Sequence, residues 1–110
     1  MELNTSIVRD SYALKITAHE DGKQVGRQYL YILRNDLHKE PFGLLEDLYV
    51  EEDYRKRGIG SELVKKAIAE AKAQGCYKLI LTSRDSNSRL HAFYERLGFA
   101  KWGSEFRIDL

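Results

Sequence analysis

The stretch EEDYRKRGIGSELV, residues 51–64, separates two kinds of local structure. Before it, Leu44–Val50 (LLEDLYV) is apolar on both faces apart from Glu46 and Asp47, as in a strand at the centre of a sheet. After it the period changes. From Ser61 onward, Leu63, Val64, Ala67, Ile68 and Ala71 fall on one helical face, with Glu62, Lys65, Lys66, Glu70 and Lys72 elsewhere. Between strand and helix, Arg55, Lys56 and Arg57 run directly into Gly58-Ile59-Gly60. Glycines allow a sharp turn and close approach of a ligand to the backbone. The first N–H groups of the following helix lack internal partners, and its dipole favours an anion there. Taken alone, the loop reads either as a solvated basic turn or as a phosphate cradle. It is not a P-loop, because Gly60 is followed by Ser61-Glu62 rather than Lys-Ser/Thr. Nor is it the dinucleotide fingerprint, because Leu63 stands where the third glycine belongs.

Working outward, residues 12–18 alternate, with Tyr12, Leu14, Ile16 and Ala18 on one face and Lys15 and Thr17 on the other. Asp21-Gly22 marks a turn into a second strand, Val25–Leu33, so the two form a hairpin. Asn35–Pro41 is a polar connector. Gly75 closes the first helix, and Lys78–Ser83 predicts a fourth strand. Asn87 or Ser88 opens a second helix with the stripe Leu90, Phe93, Tyr94, Leu97, stopped by Gly98. Phe99–Trp102 and Glu105–Ile108 read as short terminal strands. The predicted order is β-β-β-α-β-α-β-β, a mixed α/β domain spanning residues 1–110. The crossover from residue 44 to 83 should be right-handed, with its two strands parallel or flanking. Ligands in such sheets gather at the carboxyl ends of strands, where Glu51–Gly60 lies.

Composition narrows the function classes. A chain of 110 residues suits one domain. Its 18 Lys+Arg against 17 Asp+Glu give a net charge of +1, without the basic excess of a general nucleic-acid binder. Cys76, the only cysteine, excludes an internal disulfide and a thiolate zinc cluster and reads as a small core residue. His19, His38 and His91 show no metal-ligand spacing, so no metal is expected. No apolar run approaches a membrane span or a signal peptide, and a cytoplasmic protein is the default expectation.

A second constellation bears on the loop. Asn87-Ser88-Arg89-Leu90-His91-Ala92-Phe93-Tyr94-Glu95-Arg96-Leu97-Gly98-Phe99 is a capped amphipathic helix ending in Gly-Phe. With Arg55-x-x-Gly58-x-Gly60 upstream, the chain resembles the GNAT superfamily of N-acetyltransferases. The loop is similar to that family's acetyl-CoA signature, Arg/Gln-x-x-Gly-x-Gly/Ala, and the helix to its Asn…Phe-Tyr-x-x-x-Gly-Phe motif. The segment LEDLYVEEDYRKRGIGSE is similar to the polyamine acetyltransferases of spermidine/spermine type. The resemblance covers about residues 22–103. It implies a mostly antiparallel mixed sheet with flanking helices and acetyl-CoA as co-substrate.

The same resemblance implies roles for individual residues. The backbone of Leu48, Tyr49 and Val50 would pair with the pantetheine arm. Lys56, Arg57, Gly58, Ile59, Gly60 and Ser61 would offer backbone N–H groups to the pyrophosphate, with the Arg55 and Arg57 side chains beside it. Asn87 would contact the coenzyme arm, and Tyr94 would meet its sulfur. An amine is mostly protonated near neutral pH, with a reference pKa of about 10.4 for lysine, so it must lose a proton before attack. Glu46 is the candidate acceptor of that proton, and Tyr94 the candidate donor to the departing thiolate. By pattern alone, Glu46 also reads as an ion-paired structural carboxylate, and Tyr94 as a core aromatic.

Three departures from the family pattern stand out. The chain starts with what looks like the family's second strand, without the usual first strand and two helices. The acceptor side is therefore expected to be open, or completed by a second copy in a homodimer. Lys56 stands where glycine is frequent, and Glu52 where proline is common. The competing readings are a non-catalytic coenzyme-A-binding regulatory or interaction module and, more weakly, nucleic-acid binding through Arg55–Arg57.

Overall fold

The computed structural model describes residues 1–110. Its elements are β1 (Tyr12–Glu20), β2 (Lys23–Leu33), β3 (Phe42–Val50), a single 3₁₀ turn (Glu52–Tyr54), α1 (Ile59–Ala73), β4 (Leu79–Ile80) and α2 (Ser88–Arg96). The strands form one sheet in the order β1-β2-β3-β4. The first three are antiparallel to their neighbours, and β4 lies parallel to β3. The mixed architecture and the central position of β3 are as expected.

One face of the sheet carries the core. Leu30 and Ile32 of β2 and Leu45 of β3 pack against Val64, Ala67 and Ala71 of α1, all buried. These helix residues are the periodic positions seen in the sequence, and the alanines let the helix sit close to the sheet. Phe93 and Tyr94 of α2, together with Leu97 and Phe99 just beyond it, pack against the same cluster. Cys76 packs there too, half-buried, as its small apolar character implied. Gly43 marks where β4 docks. A Cβ at that position would lie 2.8 Å from Leu79 Cδ1 and 3.1 Å from Leu30 Cδ1, so any larger residue would have to displace those two side-chain ends.

Two expectations are corrected. The fourth strand, predicted over Lys78–Ser83, pairs only at Leu79–Ile80, opposite Gly43 and Leu44. Beyond these positions β3 and the chain after β4 part. The terminal strands predicted at Phe99–Trp102 and Glu105–Ile108 are not formed. Trp102 and Phe106 are each 95% exposed, so these apolar residues have found no strand to pair with and no core to enter. A strand needs a partner for its backbone groups, and alternation alone does not supply one.

Candidate active site

The site begins with an irregularity in β3. Tyr29 pairs with Glu46 and Arg27 pairs with Tyr49, so Asp47 and Leu48 together oppose the single residue Gln28. This is a β-bulge, and Asp47 takes the left-handed conformation it requires, with φ 59°. Aspartate tolerates that region better than most side chains. The Arg27 guanidinium donates to the Asp47 carbonyl, which stabilises the bulge from outside the ladder. Beyond the bulge, Tyr49 lies between two cations. Arg27 and Arg55 stand 5.2 and 5.3 Å from its ring centroid.

The bulge and the separation of β3 from the segment after β4 open a cleft of about 180 Å³. Gln28, Glu46, Asp47, Leu48, Thr82 and Tyr94 line it, with Leu45 and Leu81. Glu46 and Tyr94, 48 residues apart in sequence by their numbers, thus face one space. Burial pushes the Tyr94 phenol above its ordinary pKa, and the Glu46 charge raises it further. A phenol held protonated in this way can donate a proton. The Tyr94 ring is fixed edge-on between Phe93, at 5.1 Å, and Phe99, at 5.7 Å.

Beside the cleft, the loop places the N-terminus of α1. Gly58 is its N-cap residue, with φ 83°, and no side chain caps the helix. A 15-residue helix therefore ends on exposed N–H donors at the foot of β3. Gly60 lies within the first turn, where an added Cβ would make only ordinary contacts, 3.8 Å to Phe93 and 4.0 Å to Val50. Lys56 adopts φ 63°, which accounts for the frequent glycine at its position. Glu52 opens the 3₁₀ turn, the kind of position that proline also fills.

The basic side chains of the loop are less available than the sequence implies. Arg55 Nε donates to the Val50 carbonyl at 2.7 Å, and an Arg57 Nη donates to the Asp53 carbonyl at 3.1 Å. Arg55 is thus tied to the end of β3 and Arg57 to its own loop. Asn87 caps α2, its Oδ1 accepting from the Leu90 N–H at 3.0 Å, which leaves its amide NH₂ for any other partner. Leu48 faces the cleft, while Tyr49 and Val50 continue β3 beside it. No group of three or more His, Cys, Asp or Glu could hold a metal ion.

Sequence reasoning missed Gln28 and Arg27. Gln28 is 1% exposed, and its Oε1 has no hydrogen-bond partner. A buried unpaired carbonyl costs about 1–3 kcal/mol, so its retention among Leu30 and Ile32 is unusual. The one sequence signal was a polar residue in the core-facing register of an otherwise apolar row. A second, larger hollow of about 460 Å³ between β1 and α1 holds none of the predicted site residues.

The chain is similar to known acetyltransferases in sequence and in fold. The model of the acetyltransferase (GNAT) family matches residues 3–99. A glucosamine 6-phosphate N-acetyltransferase of Trypanosoma brucei brucei is 38% identical over 68 residues, covering 62% of this chain and 44% of that protein. An aminoglycoside N(6')-acetyltransferase type 1 of Acinetobacter genomosp. 13 is 30% identical over 99 residues, 84% of this chain and 66% of that one. The crystal structure of a Trypanosoma brucei acetyltransferase superposes with a TM-score of 0.79 at 31% identity, over 89% of this chain and 69% of that chain. The chain thus spans less than two thirds of the length of these curated relatives.

Proposed function

The chain belongs to the GNAT family of acetyltransferases, and on that footing we propose that it transfers an acetyl group from acetyl-CoA directly to an amine. The observation that carries this reading is the shared cleft of Glu46 and Tyr94 beside the uncapped α1 N-terminus. The residues fit the coenzyme. Uncapped N–H groups and the left-handed turn at Gly58, with open space where a Cβ would lie, suit a pyrophosphate. The parted strands leave room for an extended arm along Leu48–Val50.

When bound, acetyl-CoA supplies a thioester carbonyl and a thiolate leaving group. The chain supplies the rest. Backbone donors of Lys56 to Ser61 hold the diphosphate, while Arg55 and Arg57 brace the loop and add positive field. The Asn87 amide NH₂, which the cap leaves unused, would donate to the coenzyme arm. Glu46 accepts a proton from the acceptor's ammonium, and Tyr94 delivers one to the departing sulfur. The reading also takes in a cytoplasmic location and a homodimer. No helix is long and apolar enough to cross a membrane.

The test is calorimetric titration with acetyl-CoA, followed by a thiol-release assay over a panel of amines. Coenzyme binding with amine-dependent thiol release is expected. Binding with no release from any amine would instead favour a coenzyme-A-binding module, and sedimentation analysis reports the oligomeric state.

A further inference from the structure

The outer edge of the sheet is open. β1 pairs with β2 on one side and with no strand on the other. It runs nine residues without a proline. The register shift near its end leaves Val25 of β2 as the extra residue, so β1 itself stays regular. Lys15, at its middle, is turned back across the sheet over the Tyr29 ring, 5.8 Å from the centroid. A regular edge strand with a row of unpaired backbone groups is a template for another strand. The hollow of about 460 Å³ lies along this same edge. Ala13 to Thr17 form its floor, and Lys66 and Glu70 of α1 form its wall. Leu14 and Ile16 are only half-buried there, at the margin of the core. On the wall, Lys66 Nζ and Glu70 Oε1 are paired at 3.0 Å, one helical turn apart in sequence.

We propose that β1 pairs antiparallel with β1 of a second copy, about a two-fold axis through Ile16, joining the two sheets into one. The inference rests on the homodimer in the reading above, gives it a surface, and does not depend on acetyl transfer. Residues directly opposite in an antiparallel pair share a face, which limits the registers. Centring on Lys15 sets two lysines opposite each other, and centring on Thr17 sets Leu14 against Glu20. Centring on Ile16 uses the whole strand and sets Leu14 against Ala18 and Lys15 against Thr17. The two hollows then merge into one groove, floored by Leu14 and Ile16 of both copies. The charges on its walls suit this partner. A two-fold axis reverses the order of Lys66 and Glu70, so Lys66 of each copy faces Glu70 of the other. The contact is thus complementary to itself in both apolar row and charge.

The experiment is sedimentation equilibrium over a range of protein concentrations, for wild type, Glu70→Lys, Lys66→Glu and the double variant Lys66→Glu/Glu70→Lys. The Lys66 and Glu70 side chains are 62% and 31% exposed, so the variants should fold, with far-ultraviolet circular dichroism like that of wild type. Wild type should dimerise. Each single variant sets only like charges across the axis and should weaken the dimer tenfold or more. The double variant should recover it, and an equimolar mixture of the two single variants should form a heterodimer. Hydrogen exchange reads the backbone. Amides of β1 should gain protection as the concentration of wild type rises, and should not in Glu70→Lys. A monomer at every concentration would overturn both this surface and the homodimer. A dimer that neither single variant weakens, or single variants that do not associate on mixing, would overturn the surface and leave the homodimer standing. Protection of β1 that is the same at every concentration would mean that the chain covers its own edge, and would overturn the surface too. Thiol release, measured on the same proteins, tests the acetyltransferase reading separately.

Discussion

Arg55 Nε donates to the carbonyl oxygen of Val50 at 2.7 Å, so the first cation of the basic loop ties that loop to the end of β3. The same guanidinium covers the Tyr49 ring at 5.3 Å. Its charge contributes less here than its planar, fixed donor geometry, which lysine lacks. Arg55→Lys should therefore behave almost like Arg55→Ala. Both should lose about 1 kcal/mol of stability in urea titration and several-fold in coenzyme affinity. A lysine variant equal to wild type in both measurements would mean that Arg55 acts through charge alone.

The glycines of the loop should separate by conformation. Gly58, at φ 83°, is in a region that costs an L-residue about 1–2 kcal/mol, and Gly58→Ala should lose about that much. Gly60 is helical with room for a Cβ, so Gly60→Ala should be neutral or stabilising by up to about 1 kcal/mol. Lys56→Gly, at φ 63°, should be stabilising or neutral, because glycine accepts that conformation without a steric penalty. Urea midpoints of the three variants check the order.

Tyr94 should titrate late. Burial first, and the Glu46 charge second, hold its phenol protonated above the ordinary value near 10. The folded protein therefore binds this proton more tightly than the unfolded chain does. The associated stability is fully present below the unfolded value of about 10 and is lost as pH rises through the folded one. Ultraviolet titration of tyrosinate, wild type minus Tyr94→Phe, should show this late component. Glu46→Gln should move it to lower pH without restoring the ordinary value, because burial remains.

The same pair should separate in kinetics. Tyr94→Phe should lower turnover at least tenfold with little change in coenzyme affinity, the pattern of a lost proton donor. Glu46→Gln should reduce the rate most near neutral pH, where the amine is protonated. The deficit should narrow as pH approaches the amine's own value of about 10.4. A deficit constant across pH would make Glu46 a structural carboxylate.

Much of this protein was legible in the sequence because the relevant forces are local. The alternation at Tyr12–Ala18, the 3.6-residue period from Leu63 to Ala71, the Asn87 cap and the left-handed Gly58 each express the conformational preference of a few neighbouring residues. Tyr94 was marked by the helix motif, and Glu46 by its place on the central strand before Leu48–Val50. Nothing local said that they would face one cleft, because that depends on β4 meeting β3 for only two residues before the chains part. The sequence by itself determined β1 to β3, the two helices, their order and the glycine-rich entry to α1. Tertiary structure alone decided the bulge at Asp47, the inward turn of Arg55 onto Val50, the orphaned oxygen of Gln28 and the absence of terminal strands. Each of these is a matter of which distant backbone or side chain is available as a partner, and a partner exists only once the chain has folded.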